Sequence, residues 1–338
     1  MKRDRNMPRR VLIHLSVARK TRRVVLCLAA FAVPTLFVLV ACSAPQNNSA
    51  QPNNQQQAAA TDWKPVEQAL GKAGSMQPGD VYKVSLPRSD LKVTVSGVEL
   101  KPALALGSWV AFKKTGDMTT VMGDLVLTED EVTPVMTKLE EGGIEPTALH
   151  NHVLHESPRV MYMHIHAMGD AVKIAKAIHD ALALSKTPFA APAAAPPNQD
   201  IGIDTKQIDQ IMGQSGKVNG GVYQFSIPRA DKIMDNEMEI PPAMGIAQAI
   251  NFQPTGGGKA AITGDFVLLA SEVNPVIKAL RDNGIEVTAL HSHMLVETPH
   301  LFFMHFWAND DAQKLARGIR SALDKTNSAN GRGLGSGG

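Results

Sequence analysis

Cysteine is almost missing from this 338-residue sequence, which contains two, Cys27 and Cys42. Both lie within the first 42 residues, so no disulfide can form in the rest of the chain. The rest must therefore hold its fold together by burying apolar surface. A hydrophobic fraction of 44 % and a charged fraction of 20 % are typical of an ordinary globular protein and supply enough apolar residues for this.

Familiar catalytic motifs are also missing. The sequence contains no P-loop, G-x-S-x-G, H-E-x-x-H or C-x-x-C pattern, so phosphate transfer, serine hydrolysis and thiol redox chemistry lack support. A basic excess is missing beyond residue 41, where 25 Lys and Arg stand against 31 Asp and Glu. This balance argues against nucleic acid as a partner, because basic patches drive nucleic-acid binding.

The first 41 residues have the pattern of a targeting segment. A positive region at residues 19–23 precedes an apolar run at residues 24–40, and "LVAC", Leu39 to Cys42, overlaps the end of the run. This order indicates a secretory signal peptide over residues 1–41. Its end resembles the lipobox of bacterial lipoproteins, which implies cleavage before Cys42, lipid attachment to its sulfur and a membrane-anchored, extracytoplasmic protein of the cell envelope. The alternative is a transmembrane anchor, since about 17 apolar residues just span a bilayer.

Compositional breaks divide the rest of the chain. Residues 42–61 are polar and of low complexity, which predicts a flexible tether. Residues 185–200 are rich in Ala and Pro and predict a semi-rigid linker, and the Gly-rich residues 327–338 predict a disordered tail.

Between these breaks the chain repeats itself. "VYKVSLPR" at residues 81–88 returns as "VYQFSIPR" at residues 222–229, and "GIEPTALH" at residues 143–150 returns as "GIEVTALH" at residues 284–291. The offset is 141 residues in both cases. A unit of this length is too long for a solenoid repeat and predicts two copies of one domain, lobe 1 at residues 62–184 and lobe 2 at residues 201–326.

Each lobe shows alternating segments typical of strands, followed by a helix, two strands and a closing helix. In lobe 1 the first helix is expected to begin with Thr133 as its cap and Pro134 in its first turn, and in lobe 2 with Asn274 and Pro275. The order predicts an α+β lobe with a mainly antiparallel sheet, helices on one face, and a partly ferredoxin-like β-α-β-β-α core.

A histidine-rich segment follows the first helix of each lobe. Lobe 1 reads "TALHNHVLHESPRVMYMHIH" and lobe 2 reads "TALHSHMLVETPHLFFMHFW". The polar residues that both copies share form the pattern H-x-H-x3-E…H. They are His150, His152, Glu156 and His164 in lobe 1, and His291, His293, Glu297 and His305 in lobe 2. Three imidazoles and a carboxylate on one hairpin suit Zn²⁺, Mn²⁺, Fe²⁺ or Ni²⁺.

The predicted metal site depends on strand register. Side chains alternate between the faces of a strand, so the residues of each set share a face if three residues form the turn. His152 would then lie opposite His164, and His150 opposite His166. A slip of one residue would move one set to the other face. With the first register, we expect each lobe to build its own metal site on its own hairpin.

Other interpretations of these residues stay open. The histidines can instead be hydrogen-bonded core residues. Met163 and Met304 precede a candidate ligand and suggest copper, but alternation places them on the opposite face, where core packing is favoured. Arg88 and Arg229 could clamp an anionic ligand or form salt bridges. Asp124 and Asp265 follow Gly and indicate turns, or a fifth metal ligand.

The lipobox and the doubled "TALHNHVLHESPR" core together resemble the LppY/LpqO-type family of bacterial lipoproteins. The resemblance covers both lobes and implies an exported, lipid-anchored protein. That family has no known function, so the resemblance supplies no reaction.

Three classes of function remain. A metal-binding envelope protein needs only the ligand set. A metal-dependent enzyme also needs an open coordination position and a nearby base, for which Glu156 or Glu297 would serve. A scaffold or ligand-binding lipoprotein would leave the histidines structural. The residues favour metal binding and do not decide the enzyme question, the metal or any protein partner.

Overall fold

The computed structural model describes residues 61–190 and 200–329, and both lobes belong to one unit, Ala59–Gly338. The predicted signal peptide, Cys42 and nearly all of the predicted tether lie outside the described residues. So do residues 191–199 of the predicted linker and residues 330–338 of the predicted tail. Within the described ranges, no helix is long and apolar enough to cross a membrane.

Lobe 1 contains nine strands and four helices within its described residues. In chain order they are α1 (Lys64–Leu70), β1 (Ser75–Gln77), β2 (Val81–Pro87), β3 (Thr94–Val95), β4 (Val98–Glu99), α2 (Pro102–Ala105), β5 (Gly107–Thr115), β6 (Met118–Thr128), α3 (Glu129–Glu141), β7 (Glu145–His150), β8 (Glu156–Ser157), β9 (Val160–Gly169) and α4 (Ala171–Leu182).

Lobe 2 repeats this order, with a 3-10 turn at Pro242–Met244 in place of α2. Its elements are α5 (Thr205–Met212), β10 (Lys217–Asn219), β11 (Val222–Pro228), β12 (Met234–Asp235), β13 (Met238–Glu239), β14 (Ala247–Gly256), β15 (Lys259–Leu268), α6 (Ala270–Asp282), β16 (Glu286–His291), β17 (Glu297–Thr298), β18 (Phe302–Asp311) and α7 (Ala312–Leu323).

Each lobe is built on a six-stranded antiparallel sheet. The strand order is β1-β2-β5-β6-β9-β7 in lobe 1 and β10-β11-β14-β15-β18-β16 in lobe 2. Two small three-stranded sheets, β4-β3-β8 and β13-β12-β17, accompany them. The predicted fold class, two tandem α+β lobes with mainly antiparallel sheets, is confirmed.

The closing helices form for local reasons that the sequence shows. Asp170 caps α4, because its side chain accepts a hydrogen bond from Lys173 N at 2.8 Å. Ile174, Ile178 and Leu182 then recur at helical spacing and are buried against the sheet. Helix α7 begins in the same way at Asp311, whose side chain accepts from Lys314 N.

The middle helices begin one turn earlier than predicted. Helix α3 starts at Glu129 rather than after Thr133, because Glu131 reaches back to accept a hydrogen bond from Thr128 N at 2.9 Å. Helix α6 likewise starts at Ala270, with Glu272 accepting from Leu269 N at 2.7 Å. Pro134 and Pro275 therefore lie inside their helices.

The two faces of each six-stranded sheet have different partners. In β9, the apolar side chains of Met163, Ile165 and Ala167 pack against the helices of lobe 1. Their neighbours in sequence face the other way, and Tyr162 shares a buried cluster with Trp307 of lobe 2. The lobes thus bring their second sheet faces together, in the order helices, sheet, sheet, helices.

A buried arginine links the strands and helices of each lobe. Arg88 is fully buried, and its guanidinium donates to Asp90, to the Val126 carbonyl and, at 2.6 Å, to Glu131. Arg229 makes the corresponding ion pair with Glu272 at 2.7 Å. The structure therefore corrects the suggestion that these arginines contact an anionic ligand, because internal carboxylates already occupy them.

Replacing Arg88 should be among the most damaging changes to folding. Arg88→Met would leave Glu131 buried without its charge partner, and losing one member of a buried pair typically costs about 3–5 kcal/mol. Chemical unfolding of the variant measures the loss. Arg159→Met is the matched control, because the Arg159 pair with Glu129 is about two-thirds exposed at 3.9 Å. Equal stabilities of the two variants would contradict the role given to Arg88.

The ends of the lobes are tied to these ion pairs. Lys186 N donates to Glu131 Oε1 at 2.8 Å, and the described start of the predicted linker, residues 185–190, contains no helix or strand. Asn327 N donates to Glu272 Oε1, and Ala329 N donates to the Pro228 carbonyl at 2.8 Å. The predicted disordered tail is thus corrected for residues 327–329, which are hydrogen-bonded to lobe 2.

Candidate metal centre

The observed hairpins differ in register from the expected one. In lobe 1, β7 pairs with β9 so that His150 lies opposite Tyr162 and Glu145 lies opposite His166, with a bulge between Pro146 and Ala148. Strand β7 ends at His150, so His152 lies in the following loop. The predicted three-residue turn is wrong. The histidines still share one face of the sheet as predicted, because the pairing at His150 is shifted from the predicted one by an even number of residues.

The histidines of the two lobes meet in one cluster between the sheets. The ring centroids of His150 and His291 are 3.6 Å apart. Those of His152 and His305 are 3.9 Å apart, and those of His164 and His293 are 3.4 Å apart. Each of the three stacked pairs takes one ring from each lobe. The expectation that each lobe builds a separate site is therefore corrected to one shared cluster of six imidazoles.

The contacts obey an internal pseudo-two-fold symmetry. The 141-residue offset relates His150 to His291, His152 to His293 and His164 to His305. The pair His152–His305 is consequently the symmetry mate of the pair His293–His164, while His150 and His291 meet on the axis. This is the contact pattern of a symmetric dimer interface, formed here within one chain.

Four of the six imidazoles converge most closely. His150, His291, His293 and His305 each offer one nitrogen, and these atoms all lie within 4.8 Å of one another. His305 Nε2 and His291 Nε2 are 2.8 Å apart. The Nδ1 atom of His305 lies 2.9 Å from the Gly264 carbonyl oxygen, and that of His291 lies 3.2 Å from the Ser292 carbonyl oxygen. If both Nδ1 atoms donate to these carbonyls, both Nε2 atoms carry lone pairs that point at each other.

Two aspartates, on the strands that neighbour β9 and β18 in the sheets, also belong to the cluster. Asp124 lies opposite His164 in the β6–β9 ladder, and Asp265 lies opposite His305 in the β15–β18 ladder. Asp124 Oδ2 is 3.7 Å from His152 Nε2 and 3.6 Å from His164 Nε2. The sequence indicated turns at both Gly-Asp steps, with a fifth metal ligand as the alternative. Both aspartates lie within long strands, so the turns are wrong, and both lie beside the histidines. The recurrence of "GD" in both repeats was the signal for them.

Burial keeps the imidazoles neutral. It lowers the pKa of His305 to about 3, with the nearby His291 acting in the same direction, and it lowers the pKa of His291 to about 4. Burial lowers the pKa of His152, His164 and His293 well below the ordinary value, and neighbouring imidazoles add to this. Neutral imidazoles are the form that binds metal ions.

Burial acts on the carboxyl groups in the opposite direction. It raises the pKa of Asp124 to about 7, against the opposing effect of the Lys83 ammonium. It raises the pKa of Asp265 well above its usual range, and the Asp124 charge adds to this. The Lys83 amine lies 3.8 Å above the Trp109 ring, and burial lowers its pKa to about 8. A bound cation would favour the charged form of both carboxylates.

Many polar atoms of the cluster are buried without a hydrogen-bond partner. They are Asp124 Oδ1, both ring nitrogens of His150, the Nε2 atoms of His152, His164 and His293, and Asp265 Oδ1. Native proteins leave only a few such atoms per 100 residues, and each calls for an explanation such as an ion. Their concentration at one place marks this cluster as a site for a ligand.

The two predicted glutamate ligands lie elsewhere. Glu156 is on β8, opposite Val95 of β3, and is not part of the four-histidine group. Glu297 is buried, and its Oε1 accepts from Leu301 N at 2.8 Å and lies 2.8 Å from His300 Nδ1. The structure therefore brings together the six predicted histidines and places the two glutamates on the small accessory sheets.

A further aspartate lies near the cluster and carries no sequence motif. Asp235 of lobe 2 is buried, and its Oδ2 lies 3.0 Å from His166 Nε2 of lobe 1. In lobe 2, Trp307 occupies the position equivalent to His166. This difference between the repeats is the sequence feature that sets His166, the partner of Asp235, apart.

A small cavity adjoins the cluster beside the His164–His293 pair. Its volume is about 20 Å³, and it is lined in part by Met122, Thr147, His166 and Phe303. A volume of this size holds about one water molecule.

Comparison with known proteins places the chain in a family. A family model described as Domain of Unknown Function (DUF1259) matches residues 64–184 and again residues 206–325, together more than half of the chain. The chain belongs to this family. Its two DUF1259 copies are the two lobes, and each copy supplies three histidines and one aspartate to the cluster.

Solved structures and curated proteins add little to this. No curated protein matches the chain. The trimeric bacterial microcompartment shell protein PduB is 11 % identical over 75 % of this chain and 91 % of that one, with a TM-score of 0.19. EtuB from Clostridium kluyveri is 10 % identical over 75 % of this chain and 90 % of that one, with a TM-score of 0.18. At these TM-scores the likeness supports no conclusion about this chain.

Proposed function

We propose that the protein binds a divalent transition-metal ion between its two lobes, through His150, His291, His293 and His305. The observation that carries this proposal is the convergence of four imidazole nitrogens within 4.8 Å in a region crowded with unpartnered buried polar atoms. Each such atom costs about 1–3 kcal/mol when it lacks a partner. A bound cation would satisfy several of them at once.

The close pair of Nε2 atoms suits a metal ion. If both rings carry their proton on Nδ1 and donate to the Gly264 and Ser292 carbonyls, two lone pairs face each other at 2.8 Å and repel unless a cation lies between them. An added proton is disfavoured there at neutral pH, since burial lowers the pKa of His305 to about 3 and that of His291 to about 4. The neutral alternative, in which one ring carries its proton on Nε2 and donates to the other, predicts no bound metal. A metal ion uses the neutral rings, and the two carbonyls near Nδ1 would orient them as outer partners.

The ligand set favours borderline metals. Zn²⁺, Ni²⁺, Fe²⁺ and Mn²⁺ all accept imidazole ligands, and Mn²⁺ and Fe²⁺ have the lower intrinsic affinities for such sites. A sulfur-coordinated Cu(I) ion is disfavoured, because Met163 and Met304 are fully buried in the apolar cores on the helix side and offer no sulfur to the cluster.

Metal content tests the proposal directly. The wild-type protein, incubated with Zn²⁺ and desalted, should retain at least one ion per chain by mass spectrometry of the metal. His291→Ala/His305→Ala should lose it, because two of the four closest nitrogens are gone. His155→Asn is the matched control, since His155 is exposed in the adjacent loop with φ of 61° and Asn tolerates that backbone. Equal metal content in all three proteins would refute the proposed function.

We further propose that the protein is an LppY/LpqO-type lipoprotein, exported and held at the membrane of the cell envelope by lipid on Cys42. The supports are the signal-like residues 1–41 and the "LVAC" sequence. The protein would then meet metal ions outside the cytoplasm, and binding them there suits sequestration, delivery or sensing.

Cys42→Ala should block lipidation and leave a precursor that keeps its apolar signal. The reason is that the lipid is attached to this sulfur before cleavage can follow. Labelling with a fatty-acid probe and the size of the membrane-bound product measure both effects. A Cys27→Ala variant should be labelled normally, and labelling of Cys42→Ala would overturn the anchor proposal.

A metal-dependent enzyme is the second candidate. The cavity beside His164 and His293 has room for one water molecule, which a catalytic metal needs at an open position. Relaxation of solvent protons by bound Mn²⁺ measures whether water on the ion exchanges with solvent. Rapid exchange would favour the enzyme, and an ion without exchangeable water would favour storage or transport.

A further inference from the structure

We infer that the cluster binds two metal ions, the second at a position formed by Asp124, His152 and His164 of lobe 1. This inference rests on the proposed metal-binding function. The first ion uses one nitrogen from each of His150, His291, His293 and His305. Beyond its ligands, the first ion leaves four cluster side chains with a buried, unpartnered atom: Asp265 in lobe 2, and Asp124 (Oδ1), His152 (Nε2) and His164 (Nε2) in lobe 1. The three in lobe 1 form the second position.

The three lobe 1 donors are arranged around one carboxylate. Asp124 Oδ2 lies 3.7 Å from His152 Nε2 and 3.6 Å from His164 Nε2. These separations exceed a hydrogen bond, so the groups do not satisfy one another directly. They are close to the separation expected between two ligands of one ion, each at about 2.0–2.2 Å from it. Two imidazoles and a carboxylate are a familiar set for a divalent metal.

The rings of this second position are held in place from outside the cluster. His152 stacks on Tyr162 with ring centroids 3.4 Å apart and an interplanar angle of 7°. The Tyr162 hydroxyl in turn donates to the Ala105 carbonyl at 2.9 Å. His164 and Asp124 are cross-strand partners in the β6–β9 ladder. Because their backbones are held in register, the donors are positioned before an ion arrives.

Two carboxylates lie within the cluster to offset the charge of bound ions. Two divalent ions would bring four positive charges, which Asp124 and Asp265 would offset only in part. Against this stands one cation, Lys83, whose amine donates to the Ala243 carbonyl at 3.1 Å and whose charge acts on Asp124. Lobe 2 has Gln224 at the equivalent position. The second ion should therefore bind more weakly than the first.

Stoichiometry separates this inference from the proposed function. Titration of the metal-free full chain with Co²⁺, followed by ligand-field absorption and calorimetry, should show two equivalents with a tighter first one. Asp124→Asn/His152→Ala should keep the first equivalent and lose the second. Lys83→Gln, which copies the lobe 2 residue, should keep both and tighten the second. Mn²⁺-loaded wild type should show the spin coupling of a close pair of ions by electron paramagnetic resonance.

The outcomes are distinct. Two equivalents in the wild type and one in the double variant would support the inference. One equivalent in the wild type would overturn it and leave the proposed function intact, whereas no bound metal would overturn both. Two equivalents in the wild type and none in a folded double variant would show that both ions depend on Asp124 and His152, and would overturn the assignment of these residues to the second position alone. If the double variant fails to fold, the nearly isosteric Asp124→Asn variant decides by the same count.

Discussion

Adding Zn²⁺ to the metal-free protein should raise its melting temperature by about 10 °C. A ligand that binds only the folded state at about a thousand times its dissociation constant stabilises by about 4 kcal/mol. For chains of 150–250 residues each kcal/mol shifts the melting temperature by roughly 2–4 °C, and the described lobes are slightly longer than that. Differential scanning calorimetry with and without chelator measures the shift.

The shift should depend on both lobes, because the four closest nitrogens come from both. Either His150→Ala in lobe 1 or His305→Ala in lobe 2 should remove most of it, while His155→Asn should keep it. The metal should also merge the unfolding of the lobes into one transition, since it links them across their interface. A shift that survives both site variants would mean that Zn²⁺ stabilises the protein through some other group.

The fold was largely predictable because local rules and the repeat agreed. Alternating strands, the Asp170 cap and the apolar spacing of α4 determine their elements within short stretches of sequence. The predicted start of α3 is wrong because the helix cap depends on Glu131, whose carboxylate accepts hydrogen bonds from Thr128 N, Arg88 and Lys186 N. Two of these partners are distant in sequence, so neighbouring residues alone do not indicate the cap.

The candidate site was half predictable. Strand alternation correctly placed His150 and His164 on one face, opposite the apolar face that the helices cover. The register was wrong, because a bulge at Pro146 and a strand end at His150 leave no trace in the alternation. The histidines of the two lobes form one cluster because the sheets of the two lobes pack against each other, which the pattern within one repeat does not show. The histidine-bearing sheet face in each repeat did indicate that this face packs against something else.

Acidification from pH 7 to pH 5 should remove most of the stability that His291 and His305 contribute to the metal-free protein, while the raised pKa values of Asp124 and Asp265 act in the opposite direction. His291 and His305 have folded-state pKa values of about 4 and about 3, below the value of about 6.5 expected in the unfolded chain. Below pH 6.5 the unfolded chain therefore binds more protons than the folded one. The stability that these residues contribute is complete above pH 6.5 and is lost as the pH falls toward 4 and 3.

At pH 5 each of these two residues should contribute a loss of about 2 kcal/mol, from 1.4 kcal/mol for each pH unit below 6.5. Urea unfolding in chelator across this range measures the slope of stability against pH. The slope counts the protons taken up on unfolding, and His291→Asn/His305→Leu should reduce that count by about two. An unchanged count would mean that these imidazoles are protonated in the folded protein. A proton would then separate the two Nε2 atoms at 2.8 Å, and the strongest reason to place a metal ion there would be gone.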